Sequence, residues 1–205
     1  FSDKLQKEGI SLYNCQINKL NFIIKFLKIT YLIFQLNPKL IQTWMYHADF
    51  LSIFLKLLFP FTKIYWGIRN GSKELKTTTK FIISVLAIFS YVVPFKIISC
   101  SESSTRMHKN IGYKSSKIIT INNGVDIEVF KNQSNLRTLF RKQHAIDETS
   151  ILFSMVARWS PQKDHLTVLR AFNILAKETD IKCYLFMAGT NIDENNGTLL
   201  NEIKN

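Results

Sequence analysis

The chain has 205 residues, 46% hydrophobic and 20% charged, with a formal net charge of +12. That balance excludes a disordered or collagen-like chain and leaves a globular one with ample core material. The charge is lopsided: residues 1–130 hold 17 Lys or Arg against 7 Asp or Glu, and the remainder 10 against 8. A basic first part fits an anionic partner such as a phospholipid surface, a lipid diphosphate or a nucleic acid, and it equally fits a lysine-rich composition.

In chain order, short apolar runs read as strands at Ile10–Tyr13, Leu40–Trp44, Lys63–Gly67, Phe95–Cys100, Lys117–Ile121, Ile151–Val156 and Ile181–Met187. Helix-length stretches separate most of them: Lys19–Gln35, His47–Phe59, Ser72–Val92, Glu102–Ile111 and Asp164–Lys177. The alternation predicts parallel sheets covered by helices on both faces, an α/β class. Leu166, Leu169, Phe172 and Leu175 form one apolar stripe, with Ser160 and Pro161 placed to open that helix.

The most apolar stretch, Phe81–Phe95, is too short for a span, which needs about 20 residues, and reads as a buried helix running into a strand. Phe1 is not Met, so the native start is expected upstream. Cys15, Cys100 and Cys183 form no C-x-x-C pair and sit by apolar runs, as buried reduced thiols of a cytoplasmic protein would. No His, Cys, Asp or Glu cluster has metal-ligand spacing, so neither a metal nor a cofactor is expected.

Residues 131–149 are polar, with only a short amphipathic piece around Leu136–Phe140, and read as a linker. They divide a first domain, 1–130, from the start of a second, 150–205. The first would be incomplete at its front. The second, with two strands, is too small to bury a doubly wound core and is expected to continue beyond Asn205.

The segment Val156–His165 is the most informative. An apolar strand ends at Val156, Arg158 and Lys163 follow five positions apart, and a helix begins. Ligands bind at the carboxyl ends of parallel strands, and a helix start favours anions. The pair therefore fits a diphosphate cradle, and also two solvated loop cations. His47 follows the strand Leu40–Trp44 and fits a ligand contact or a hydrogen-bonded structural residue. Arg69 and Asn70 follow the strand Lys63–Gly67, where they fit an acceptor phosphate contact, a cleft closure or a plain turn. Asn123-Gly124 and Gly189 fit turns or cleft-lining backbone. His108, His144 and His165 read as surface residues, and Glu194 and Glu202 as solvated helix charges.

These segments, in order, resemble glycosyltransferase family 4. Ala157-Arg158 through Lys163 looks like its donor-phosphate loop. Gln42–Asp49 resembles the segment that ends a strand with a histidine, and Trp66–Asn70 the strand and loop that follow. Ser101-Glu102 and Asn123–Asp126 resemble the serine-bearing and N-G-V-D turns, and Ala188-Gly189 closes the series. The resemblance covers nearly the whole chain and is nearest to bacterial enzymes of capsule or O-antigen synthesis.

It implies a GT-B fold of two Rossmann-like, doubly wound domains, both incomplete here. The first domain would bind the acceptor and the second the nucleotide sugar. It further implies sugar transfer with retention, Arg158 and Lys163 on the donor diphosphate, and His47 at the transfer site. The expected partners are a nucleotide sugar, a glycan or lipid-diphosphate-linked acceptor, and an anionic membrane surface, with no nucleic acid. The expected setting is cytoplasmic, peripheral on the membrane. The family's early glycine-rich loop and late glutamate pair are expected outside this stretch, so the 205 residues alone are expected to be inactive. The alternative is a non-enzymatic basic membrane-surface or nucleic-acid-binding α/β protein.

Overall fold

A computed structural model describes residues 2–17, 20–70 and 77–204, apart from the side chains of Lys4 and Lys204. The chain forms two compact units, Phe1–Val125 and Asp126–Asn205.

The first unit opens with two helices, α1 (Ser2–Lys7) and α2 (Phe22–Leu36). Four strands follow: β1 (Leu40–Trp44), β2 (Lys63–Ile68), β3 (Lys96–Ser99) and β4 (Ile118–Thr120). Between them run α3 (Tyr46–Leu58), α4 (Thr77–Phe89) and α5 (Glu102–Ile111). All four strands are parallel and lie in the order β1-β2-β3-β4. Ile10–Tyr13 is irregular rather than a strand, because this short apolar run pairs with no neighbour. The expected helix from Ser72 begins at Thr77 among the described residues, since 72–76 lie outside them. Among the described residues, no helix is long and apolar enough to cross a membrane.

Register decides which side chains share a face. Trp66 lies opposite Thr43 and Ile97, and Ile97 opposite Ile118, so these four point the same way. That face is buried, with Ile64, Trp66, Ile68 and Ile97 packed against Tyr46, Ile53, Ile83 and Leu86 of α3 and α4. The other face carries Leu40, Gln42, Trp44, Tyr65, Ile98 and Ile119, all exposed or half-buried. Among the described residues, α3, α4 and α5 lie together on the buried face, as sequential right-handed crossovers require.

The second unit holds α6 (Ser134–Gln143), β5 (Ile151–Val156), α7 (His165–Glu178), β6 (Cys183–Ala188) and α8 (Gly197–Lys204). β5 and β6 pair in parallel. The helix α6 lies inside the stretch read as linker. Its Phe140 packs edge-on against Phe186 of β6, with ring centroids 5.0 Å apart. The buried Arg141 donates to the carbonyls of Asp147 at 2.5 Å and Ser150 at 3.2 Å. Across the sheet Phe172 of α7 meets Phe153 at 6.1 Å. Glu202 is not a free helix charge: it pairs with Arg170 at 2.6 Å, while Glu194 sits in the turn before α8.

Candidate functional site

The second unit presents its two sequence-flagged cations in one loop. After β5, the amide of Ala157 donates to Ala188 O and that of Trp159 to Thr190 O, both at 2.9 Å, so the loop stays zipped to the end of β6. Gly189 makes this possible. Its φ is +154°, and a Cβ there would lie 2.1 Å from Ala157 O. Arg158 projects from this zipped stretch and Lys163 ends a 3₁₀ turn, Pro161–Lys163. Both are exposed, and neither joins an ion pair among the described residues.

The cap of α7 differs from expectation. Ser160 flanks the 3₁₀ turn, and the helix proper is capped by Asp164, in the left-handed region at φ 51°, whose carboxylate accepts from Thr167 N. His165 is not a surface residue but 3% exposed. Its Nε2 lies 3.3 Å from Ala157 O and its ring 5.0 Å from Trp159. A carbonyl only accepts, so Nε2 carries the hydrogen, while the buried Nδ1 has no hydrogen-bond partner among the described residues. His165 thus holds the loop from beneath, beside a pocket of about 320 Å³ lined by Trp159, Asp164 and Thr198.

In the first unit, parallel strands bring His47, Arg69, Asn70, Asn123 and Gly124 to the carboxyl edge of one sheet. β1 turns into α3 through Met45, whose φ of 75° and ψ of 152° lie in a region that glycine normally occupies. Its amide donates to Gly67 O at 3.1 Å and its carbonyl accepts from Ala48 and Asp49. This bend leaves His47 exposed in the first turn of α3. The exposed Arg69 lies 4.9 Å above the Trp44 ring. Asn123 and Gly124 lie in the exposed segment after β4. Ser101 caps α5, accepting from Ser104 N at 3.1 Å.

Beneath this edge are polar groups that the sequence reading passed over. Asp49 is 1% exposed, and its Oδ1 is 2.5 Å from Thr43 Oγ1. Burial pushes its carboxyl up to about 7, against the hydrogen bonds from Thr43 and the Gly67 backbone. His108 is fully buried rather than at the surface. Its Nδ1 donates to Ser104 O at 2.8 Å, so Nε2, 3.0 Å from Tyr46 Oη, is the acceptor. Burial lowers the His108 pKa and raises that of Tyr46 to about 12. The Asn70 carbonyl accepts from Ser104 Oγ at 3.0 Å and faces Tyr46 Oη at 3.3 Å, which ties the loop bearing Arg69 to α3 and α5. A carboxyl two residues after His47 in an apolar helix was the available signal for Asp49.

No protein-family model matches the sequence, and no curated protein matches it. Solved structures do match. The chain resembles Anabaena HepE in complex with UDP-glucose, with a TM-score of 0.77 and 16% identity over 99% of this chain and 54% of that one. It also resembles a glycosyltransferase from Rickettsia africae, with a TM-score of 0.70 and 17% identity over 99% and 52%. A UDP complex of Staphylococcus aureus MnaA matches at 0.57 and 10%, over 99% and 55%. The chain thus spans about half the length of the structures it resembles, and over that half it has their α/β, Rossmann-like GT-B fold.

Proposed function

We propose that the chain is part of a glycosyltransferase that moves a hexosyl group from a nucleotide sugar, with retention, to a glycan or a lipid-diphosphate-linked acceptor in cell-surface polysaccharide synthesis. The observation that carries this reading is the pair of exposed cations, Arg158 and Lys163, between the end of β5 and the start of α7. Supporting it, HepE was solved with UDP-glucose and with UDP, and the Rickettsia africae structure is of a glycosyltransferase.

In this mechanism Arg158, Lys163 and the partial positive charge of the α7 N-terminus hold the donor diphosphate and stabilise charge that grows on it as the sugar leaves. No metal or cofactor is invoked. His47 lies by the transferred sugar, and Arg69, Asn70, Asn123 and Gly124 line the acceptor side, while Gly189 lets backbone approach the nucleotide. The donor phosphate, rather than a protein carboxylate, assists deprotonation of the acceptor hydroxyl. A Neisseria meningitidis UDP-GlcNAc 2-epimerase shares the fold less closely, with a TM-score of 0.55, so transfer is preferred to epimerisation.

The test is UDP binding by calorimetry with the chain, followed by sugar transfer and product anomer assignment by NMR with the longer enzyme. Absence of UDP binding, or an inverted product, would overturn the respective part.

A further inference from the structure

The two exposed cations of the second unit hang on different elements. Arg158 follows β5, and the amides of Ala157 and Trp159 on either side of it donate to Ala188 O and Thr190 O. Lys163 closes the 3₁₀ turn, where its own amide donates to Ser160 O at 2.9 Å and that of Asp164 to Pro161 O at 3.3 Å. Lys163 therefore moves with the start of α7 and Arg158 with the end of β5. Neither joins an ion pair among the described residues. Their spacing is set by what ties those two elements together.

His165 makes that tie. It is the first residue of α7, yet its side chain touches the residues before and after Arg158. Its Nε2 donates to Ala157 O at 3.3 Å, and its ring lies 5.0 Å from that of Trp159, tilted by 32°.

The ring is well held for this purpose. The Asp164 carboxylate, accepting from Thr167 N at 3.4 Å, fixes the helix start that carries it. At 3% exposure the side chain has little room to turn. Its Nδ1 has no partner among the described residues, so the bond to Ala157 O has no competitor on the same ring. A phenyl ring in its place would keep a contact with Trp159 and leave Ala157 O without this donor. A glutamine amide would still offer a hydrogen.

We propose that His165 is the positioning residue of the cation pair. By locking the end of β5 to the start of α7 it sets the separation of Arg158 and Lys163, and with it the preference of the site for a diphosphate over a monophosphate. The proposal rests on the reading of Arg158 and Lys163 as the donor-diphosphate site, and it adds the residue that tunes that site.

The test is calorimetry on the chain with UDP and with UMP. His165→Phe should lower the ratio of UDP to UMP affinity about tenfold, because spacing matters only to a ligand that engages both cations. His165→Gln should keep the ratio within about twofold of the wild-type value. In hydrogen exchange, the Trp159 amide of His165→Phe should quicken about tenfold relative to amides in the middle of α7, and that of His165→Gln should not. An unchanged ratio in His165→Phe, or equal losses for UDP and UMP, would overturn this proposal alone. So would exchange that quickens equally at Trp159 and along α7, which would make His165 a support of the helix only. Absence of UDP binding by the wild-type chain would overturn the donor-site reading and this proposal with it.

Discussion

Thr43 Oγ1 and Asp49 Oδ1 lie 2.5 Å apart in a buried site, and the same hydroxyl oxygen is 3.2 Å from Tyr65 O. Thr43 has one hydrogen for two acceptors if Asp49 is ionised. A protonated Asp49 resolves the shortage by donating to Thr43, which then donates to Tyr65 O. The carboxyl held up near 7 agrees with this accounting.

The stability consequence has a definite sign. Between the ordinary carboxyl value of 3.8 and about 7 the native state holds a proton that the unfolded state has lost. Stability supplied by Asp49 is therefore complete below that window and is lost as pH rises through it, by about 4 kcal/mol at most. Asp49→Asn, which keeps both a donor and an acceptor, should flatten this slope and stabilise the protein at pH 8. Urea unfolding of both proteins at pH 5 and 8 measures it, and parallel slopes would count against a neutral Asp49.

His108 titrates in the opposite sense. Its pKa is lowered in the fold, so its contribution is present above pH 6.5 and is lost as pH falls toward the depressed value. His108→Gln should therefore reduce the loss of stability on acidification. Long-range nitrogen NMR should find His108 neutral with its hydrogen on Nδ1. A hydrogen on Nε2 at pH 7 would contradict the Ser104 contact.

Arg158→Ala and Lys163→Ala should each weaken UDP binding by about 1.5–3 kcal/mol, roughly ten- to a hundredfold, with little change in melting temperature. Their exposure and lack of ion pairs among the described residues are why folding should be indifferent to them. Calorimetry reads the affinity, and wild-type values for both variants would remove the diphosphate assignment. The 205 residues alone should bind UDP without transferring sugar, which a donor-turnover assay checks.

Two glycines flagged in the sequence should behave differently. At Gly189 a Cβ meets Ala157 O at 2.1 Å and the backbone is strained for any other residue, whereas at Gly124 nothing lies within 4 Å. Gly189→Ala should cost about 2 kcal/mol or more and also weaken UDP binding, since it unzips the loop that holds Arg158. Gly124→Ala should stay within about 0.5 kcal/mol. Equal melting temperatures for the two variants would refute the contrast.

The strands at Leu40–Trp44 and Ile151–Val156 were legible because short runs rich in β-branched and aromatic residues between helix-length stretches admit few other readings. Ile10–Tyr13 has the same local character, but a strand exists only with a partner, which a local pattern does not reveal. The helix α6 was hidden for the converse reason. Its sequence is polar, and its anchoring comes from Phe186 and from the carbonyls of Asp147 and Ser150, distant groups for a helix this short. Position explains the rest of the site: the loop holding Arg158 and Lys163 follows from strand ends and helix starts. The burial of His108, His165 and Asp49 depends on packing by other elements, and no spacing along the chain announces it.

Strand order in the first unit equals chain order: Leu40 pairs with Lys63, Tyr65 with Lys96 and Ile97 with Ile118. Each strand after β1 therefore finds a partner already synthesised when it leaves the ribosome. None must wait for a later segment to be threaded between earlier ones. Parallel pairing is intrinsically slow because a crossover must close first. Here every closure is to the preceding strand, so assembly can advance at the pace of elongation. Pausing translation after Ser99 should leave β1, β2 and β3 as a native-like nascent sheet, with β4 joining it last.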